Sequence, residues 1–294
     1  MIVVSVKTKC KDIEKNNEFQ IFSVPLHSQT DNNMILYFSG TGNTRRVAQQ
    51  IAEAIGEQLL YIPDIIKKGH YQLTLKADER LGFCFPTHGW QPPRIVREFI
   101  RKMSISGIEK PHFCWALTTC GDNMGEAMTI LNKELGKKGL KAESLFSVIM
   151  PESYVCQPFM YTDSEEKEQR KIAQAKQQIT HIIDAIKACR RGVEELEKGA
   201  TPRLYSYVIG GYFNKKMVTD RKFTVDTDVC IKCGKCVKVC PVDNIEGTPP
   251  VWMHSGKCTS CLACYHYCPV HAINFGKITR KRDQYYFNRR EDRR

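Results

Sequence analysis

Residues 230–241 read CIKCGKCVKVCP and residues 258–269 read CTSCLACYHYCP. Each run is Cys-x2-Cys-x2-Cys-x3-Cys-Pro, the spacing in which soft thiolates wrap a cubane [4Fe-4S] cluster. Three closely spaced cysteines reach three corners of one cube, while the fourth, set farther along, points to the other. The expected ligand sets are therefore Cys230, Cys233, Cys236 and Cys268 for cluster I, and Cys258, Cys261, Cys264 and Cys240 for cluster II. Every rung recurs 28 residues later, so the region is an internal repeat with an expected pseudo-twofold axis. Structural zinc also uses Cys-x2-Cys pairs, but it takes four tetrahedral ligands and has no need of a third cysteine followed by Cys-Pro. Gly234 and Ala263 are expected to let the backbone curl so that N–H groups face the sulfurs, a lever that raises reduction potential. Tyr265, His266, Tyr267, His271 and His254 read as packing around the cubes.

A second candidate site lies near the front, in YFSGTGNTRRVAQQIAEAI. A Gly-rich turn stands there between a strand pattern and a helix pattern, where free N–H groups and the helix dipole favour a phosphate. It is no dinucleotide fingerprint, since Gly40 and Gly42 supply the first two glycines of G-x-G-x-x-G and Arg45 occupies the third. Nor does a Gly-Lys-Ser/Thr follow, as a nucleoside triphosphate loop requires. The hydroxyls of Ser39, Thr41 and Thr44, with Asn43, can hold a terminal phosphate by neutral hydrogen bonds.

Positioning these residues requires two different folds. The chain has 294 residues, enough for two domains, and no apolar run approaches the roughly 18 residues of a membrane span. From Met34 onward, apolar runs near 35–38, 59–62, 81–85, 113–117 and 145–150 alternate with helical patterns at 44–55, 93–103 and 124–135. A long helix is expected over 163–196. That order argues for a five-stranded parallel sheet covered by helices on both faces. The expected organisation is an N-terminal extension over 1–33, with Met34 as a candidate internal start, a sheet domain over 34–196 and a linker over 197–222. The ladder domain follows at 223–276 and a basic tail at 277–294. Within the linker, Pro202 and the pair Gly210 and Gly211 read as helix breakers, while LYSYVIGGYF is expected to pack between the two domains. The tail KITRKRDQYYFNRREDRR reads as solvated and partly frayed, or as a contact for an acidic partner. No recognised nucleic-acid motif accompanies its charge.

Fourteen cysteines in a chain whose N-terminus MIVVSVKTKC shows no secretory signal point to metal rather than disulfides, and to the cytoplasm. The formal net charge of +12 counts the thiols as neutral. Two clusters and a bound phosphate group would lower it to roughly +6.

The two ladders, including Pro241 and Pro269, resemble the bacterial two-cluster ferredoxins, and SGTGNT resembles the FMN-phosphate loop of flavodoxins. From Met34 to Gly276 the chain is similar to the flavodoxin/ferredoxin fusion proteins of anaerobic prokaryotes. The resemblance implies a doubly wound sheet of order 2-1-3-4-5 with FMN at its switch point, followed by a small α+β domain holding two clusters. It further implies that Pro86, Thr87, His88, Gly89 and Trp90, after the third strand, and Thr118, Thr119, Cys120, Gly121 and Asp122, after the fourth, cradle the isoalloxazine. Trp90 is then the stacking candidate, its alternative being a surface aromatic. The second loop carries no aromatic, unlike that of many flavodoxins, so the second flavin face is expected to stay open for the ladder domain or a partner. Flavodoxins are typically acidic, whereas residues 34–196 carry 22 basic and 19 acidic side chains. Cys84 and Cys114 read as core residues, and Cys120 as the one thiol near the flavin.

The function so implied is an electron relay between FMN, two clusters and external redox proteins, acidic ones among them, with no catalytic acid, base or nucleophile required. A second reading is an FMN-dependent reductase of NAD(P)H or a small acceptor, fed by the clusters. A third is an iron-sulfur redox sensor.

Overall fold

The computed structural model describes residues 33–110, 112–290 and 292, so the expectations for 1–32 lie outside the described residues. Six parallel strands form the main sheet: β1 Met34–Tyr37, β2 Gln58–Tyr61, β3 Glu79–Pro86, β4 His112–Cys120, β5 Ser144–Ile149 and β6 Glu194–Glu195. Their order is β2-β1-β3-β4-β5-β6. The 2-1-3-4-5 sheet expected from the sequence is therefore present, extended by one short strand.

The inner strands β1, β3, β4 and β5 are buried on both faces, which explains near-continuous runs such as LGFCF in β3. On one face α3 Arg94–Lys102 and α4 Ala127–Gly136 bury Val96, Phe99, Met128 and Leu131 against Leu36, Phe83 and Ala116. The opposite face belongs to α1 Asn43–Ile55 and α5 Glu165–Lys187, whose Val47, Ile51, Ile179 and Ile182 pack on Ile35, Trp115 and Phe146. Each such aliphatic side chain contributes about 1.5–3 kcal/mol when fully buried. A shorter helix, α2 Ile62–Lys68, follows β2.

α5 starts where the sequence places a cap: Ser164 Oγ accepts from Lys167 N, and Glu165, Glu166 and Glu168 face the positive helix end. Its end differs from the expectation. The helix stops at Lys187, Cys189 and Gly192 take left-handed backbone conformations, and the chain turns into β6 beside Leu145 and Phe146. The glutamates of EELE have helix propensity but no helical neighbour to bury against, and sheet pairing wins.

The linker also differs. Leu204–Ile209 and Phe213–Met217 are π-helical and enclose the α-turn Gly210–Tyr212, one continuous helical segment. Pro202 stands in its first turn, where a missing N–H costs nothing. Gly210 is helical because a Cβ there would lie 2.1 Å from Gly89 O. Close approach to the loop after β3, rather than helix breaking, accounts for this glycine. Leu204, Tyr207 and Val208 remain exposed on its outer side.

The ladder region pairs β7 Phe223–Val225 with β10 Ile273–Phe275, and β8 Ile245–Glu246 with β9 Val251–Trp252, both antiparallel. Two one-turn helices, α6 Lys235–Lys238 and α7 Ala263–His266, stand 28 residues apart in sequence. Phe223 stacks on Trp252 and meets Phe275 edge-on, closing a small core that also takes in Val155 and Cys156 from the loop after β5. Among the described residues no helix is long and apolar enough to cross a membrane.

Candidate cofactor sites

The two ladders share one backbone plan. Left-handed conformations occur at Lys232 and Gly234 in the first and at Ser260 and Leu262 in the second, and again at Asp243 and His271, each pair offset by the same 28 residues. The pseudo-twofold repeat thus extends to backbone torsions. The expected pivot Ala263 is instead the first residue of α7, and the counterpart of Gly234 is Leu262. Ladder geometry imposes the turn there on a residue that does not favour it.

Backbone N–H groups face the sulfurs, also in register. Asn244 N donates to Cys240 Sγ at 3.3 Å, Ala272 N to Cys268 Sγ at 3.2 Å, and Ser260 N to Cys258 Sγ at 3.4 Å. Such bonds stabilise thiolate charge and tune a cluster's potential.

Cys230, Cys233, Cys236 and Cys268 line one cavity together with Ile231, Lys232, Thr248 and Pro250. The fourth cysteine of the second ladder therefore stands with three of the first. In the other group, burial pushes the Cys264 thiol up, reinforced by its neighbours Cys261, Cys258 and Cys240 and, least, by Cys236 of the first set. Burial likewise raises Cys258, with Cys240 among the adjacent groups. Among the described residues no three His, Cys, Asp or Glu side chains are grouped to hold a single metal ion. The donor chemistry, two sets of four soft thiols with N–H groups on their sulfurs, fits two cubane clusters.

The second site is a cavity of about 640 Å³ at the carboxyl ends of β1, β3 and β4. Its walls include Ser39, Gly40, Thr41, Asn43 and Thr44 before and within α1, then Pro86, Thr87, His88, Gly89 and Trp90, then Thr119, Cys120, Gly121 and Asp122. Two expected residues, Gly42 and Thr118, do not line it. Thr118 is fully buried, donates from Oγ1 to Phe85 O at 3.0 Å and pairs with Thr87 Oγ1, so it holds the loop from behind. Gly42, left-handed with φ of 98°, packs toward Phe287 and Tyr267.

The loop's polar atoms are partly engaged. Ser39 Oγ accepts from Gly42 N, Thr44 Oγ1 pairs with Thr119 Oγ1 at 2.8 Å, and Asn43 Nδ2 donates to Pro151 O at 2.9 Å. What remains for an anion is the amide-rich start of α1 with the loop hydroxyls, while Lys167 and Lys171, which also line the cavity, are each paired with Asp163. Lys171 Nζ donates to Gly121 O at 2.7 Å and to Asp163 Oδ2 at 2.5 Å, which fixes the second loop. Burial, with Glu152, Asp122 and Glu197 nearby, raises the Cys120 thiol far above its ordinary range, unlike a reactive cysteine.

Trp90 lines the cavity, yet its ring packs against Tyr205 of the linker helix at 4.8 Å between centroids. The aromatics absent from the second loop come from elsewhere. Tyr154, Phe159 and Tyr161 from the loop after β5, with Tyr212 and Phe213 from the linker, share the cavity wall. Segments remote from the second loop thus supply the aromatic part of the wall. The sequence could not show these residues converging, because their partners are remote.

Ser260, Cys261 and Leu262 complete the wall, so the second ladder forms part of the same cavity. A Cβ on Gly40 would stand 2.7 Å from Cys261 O and 2.9 Å from Cys261 Cβ.

A family model for a flavodoxin domain matches residues 34–154, and one for a 4Fe-4S binding domain matches 223–246 and 251–274. The chain is a flavodoxin/ferredoxin fusion. Its ladder region is similar to a ferredoxin of Alicyclobacillus acidocaldarius subsp. acidocaldarius, 44% identical over 52 residues, 17% of this chain and 67% of that one. It is also similar to a ferredoxin of Mycolicibacterium smegmatis, 42% identical over 48 residues, 16% of this chain and 45% of the other. The fusion spans about half the length of the first curated relatives it matches. Among solved structures, a Streptococcus pneumonia TIGR4 flavodoxin is similar with a TM-score of 0.30 and 14% identity, covering 52% of this chain and 98% of that one. The two 4Fe-4S motifs indicate two clusters and the flavodoxin domain indicates FMN.

Proposed function

We propose that the fusion relays electrons between FMN, its two [4Fe-4S] clusters and an external redox partner. The observation that carries this reading is the place of Cys261. It is a ligand of the second cluster by its spacing, and its carbonyl and Cβ press on Gly40 of the phosphate loop. When bound, FMN exchanges electrons singly or in pairs and the clusters exchange them singly.

The chain's own residues prepare that exchange. Ser39, Gly40, Thr41 and Thr44 offer hydroxyl and amide donors to the phosphate, and Pro86 to Trp90 with Thr119 to Asp122 line the space for the ring. Linker and ladder side chains narrow the access of water to that space. His88 stays neutral, because desolvation pushes its pKa down to about 4 against a hydrogen bond to the Thr259 backbone. Of the eight ladder thiols, Cys233 is exposed, on the side of the other ladder, where an external partner has access.

Anaerobically purified protein tests the reading. About one FMN, eight iron and eight sulfide per chain are expected. Rapid mixing with limiting dithionite should show flavin and cluster bands equilibrating at a rate independent of protein concentration. A rate proportional to concentration would reject an internal relay. Flavin bleaching by NADH or NADPH as fast as by dithionite would instead favour a reductase.

A further inference from the structure

The C-terminal residues, read from the sequence as a frayed tail or as a contact for an acidic partner, lie across the phosphate loop. Tyr285 is 4% exposed, and its Oη donates to Asn43 Oδ1 at 2.5 Å across 242 positions of sequence. Phe287 N donates to Thr41 O at 2.9 Å, and Phe287 Cβ lies 3.0 Å from where a Cβ on Gly42 would stand. The same segment is tied to the second ladder: Tyr285 N donates to His266 Nδ1, and Gln284 Nε2 to Tyr265 O and Cys268 O at 2.6 and 2.8 Å. Farther on, Arg290 pairs with Glu168 at 2.9 Å and with Glu165 at 3.5 Å on α5. Three consecutive loop residues, Thr41, Gly42 and Asn43, are thus held from behind by Tyr285 and Phe287.

We infer that Tyr285 and Phe287 are positioning residues of the FMN-phosphate site, fixing the loop conformation in which its amides and hydroxyls converge on the phosphate. A loop whose glycine is free to leave φ near 98° has to be ordered at each binding event, whereas a strapped loop is ordered beforehand. Asn43 gains most from the strap. Its amide oxygen is taken by Tyr285 and one amide hydrogen by Pro151 O, so the side chain acts as a brace between the strap and the loop after β5. Without the Tyr285 hydroxyl, that oxygen is left buried and unpaired.

This inference rests on the FMN reading, and its test separates the two. Tyr285→Phe and Phe287→Ala are made in the full chain with its clusters. Affinities for FMN and for riboflavin, which lacks the phosphate, are measured by quenching of flavin fluorescence. Lys277→Ala, on the exposed start of the same segment, serves as control. The expected result is an FMN Kd raised about tenfold in Tyr285→Phe, with riboflavin affinity, iron and sulfide unchanged. Phe287→Ala keeps its amide, so a smaller shift in the same direction is expected. Equal FMN affinity in all variants would overturn the inference and leave the relay intact. Equal weakening of both flavins would also overturn it, since a general structural role does not distinguish them. A wild type that binds no FMN would overturn the flavin reading and this inference together.

Discussion

Gly40 and Cys261 approach so closely that a single methyl group on Gly40 would stand 2.7 Å from the Cys261 carbonyl oxygen. The obstacle is backbone on the ladder side, which cannot rotate away as a flexible side chain would. Gly40→Ala should therefore displace Ser260 to Leu262 from the cavity wall, at an overpacking cost of about 1–3 kcal/mol. Denaturant unfolding should show the loss, and FMN affinity should fall with it. A variant as stable as the parent, with unchanged flavin binding, would mean that the two segments do not meet in solution.

The crossed assignment of thiols predicts a pattern of non-additivity. Cys268 shares a cavity with Cys230, Cys233 and Cys236, while Cys240 is a neighbour of Cys264, Cys261 and Cys258. Each single Cys→Ala variant in a ladder should lower iron from about eight to about four per chain. Cys240→Ala combined with Cys261→Ala should cost no more iron than either alone, because both serve one cluster. Cys240→Ala combined with Cys236→Ala should empty both sites, although the two lie in the same ladder. The reverse pattern would assign each ladder to its own cluster.

How much of this was legible in the sequence divides along one line. The ladders could be read because ligand spacing is local, and the sheet because strands buried on both faces leave continuous apolar runs. The strap could not be read. Tyr285 and Phe287 carry no periodic signal, and their partners Asn43 and Thr41 stand more than 240 positions away. The linker helix was hidden for the same reason, since Gly210 breaks helices on average and is required here chiefly by the Gly89 carbonyl. β6 was missed because Glu194 and Glu195 look helical until Leu145 and Phe146 offer a sheet edge. In each case a tertiary contact overrode a local preference.

His88 sets an acid limit on the flavin site. Desolvation lowers its pKa from 6.5 to about 4, with the Thr259 backbone bond opposing, so the folded protein holds it neutral where the unfolded chain binds a proton. By linkage, this contribution to stability is fully present above about pH 6.5 and is lost as the pH falls toward 4. FMN release measured between pH 7 and 4 should steepen over that interval in the parent. The steepening should shrink in His88→Gln, which cannot titrate. Identical profiles for the two proteins would remove His88 from the acid response.

Gly210 and Gly211 are adjacent in one helix and should respond to alanine in opposite directions. A Cβ on Gly210 would lie 2.1 Å from Gly89 O and 2.9 Å from Tyr205 O, both backbone atoms, whereas one on Gly211 meets nothing within 4 Å. Helix propensity alone favours alanine by up to about 1 kcal/mol at either site. At Gly211 that preference acts unopposed, and Gly211→Ala should leave stability unchanged or raised. At Gly210 the clash dominates, because the helix is held against the loop by Ser206 Oγ donating to Trp90 O, Gln91 Nε2 to Ser206 O and Asn214 Nδ2 to His88 O. Gly210→Ala must break that set or deform the loop that lines the flavin cavity, so lower stability and weaker FMN binding are expected together. Thermal unfolding of the two variants side by side decides the matter. If both were equally tolerated, the linker helix would not be seated on the flavin loop, and the aromatic wall it lends to the cavity would have to be withdrawn.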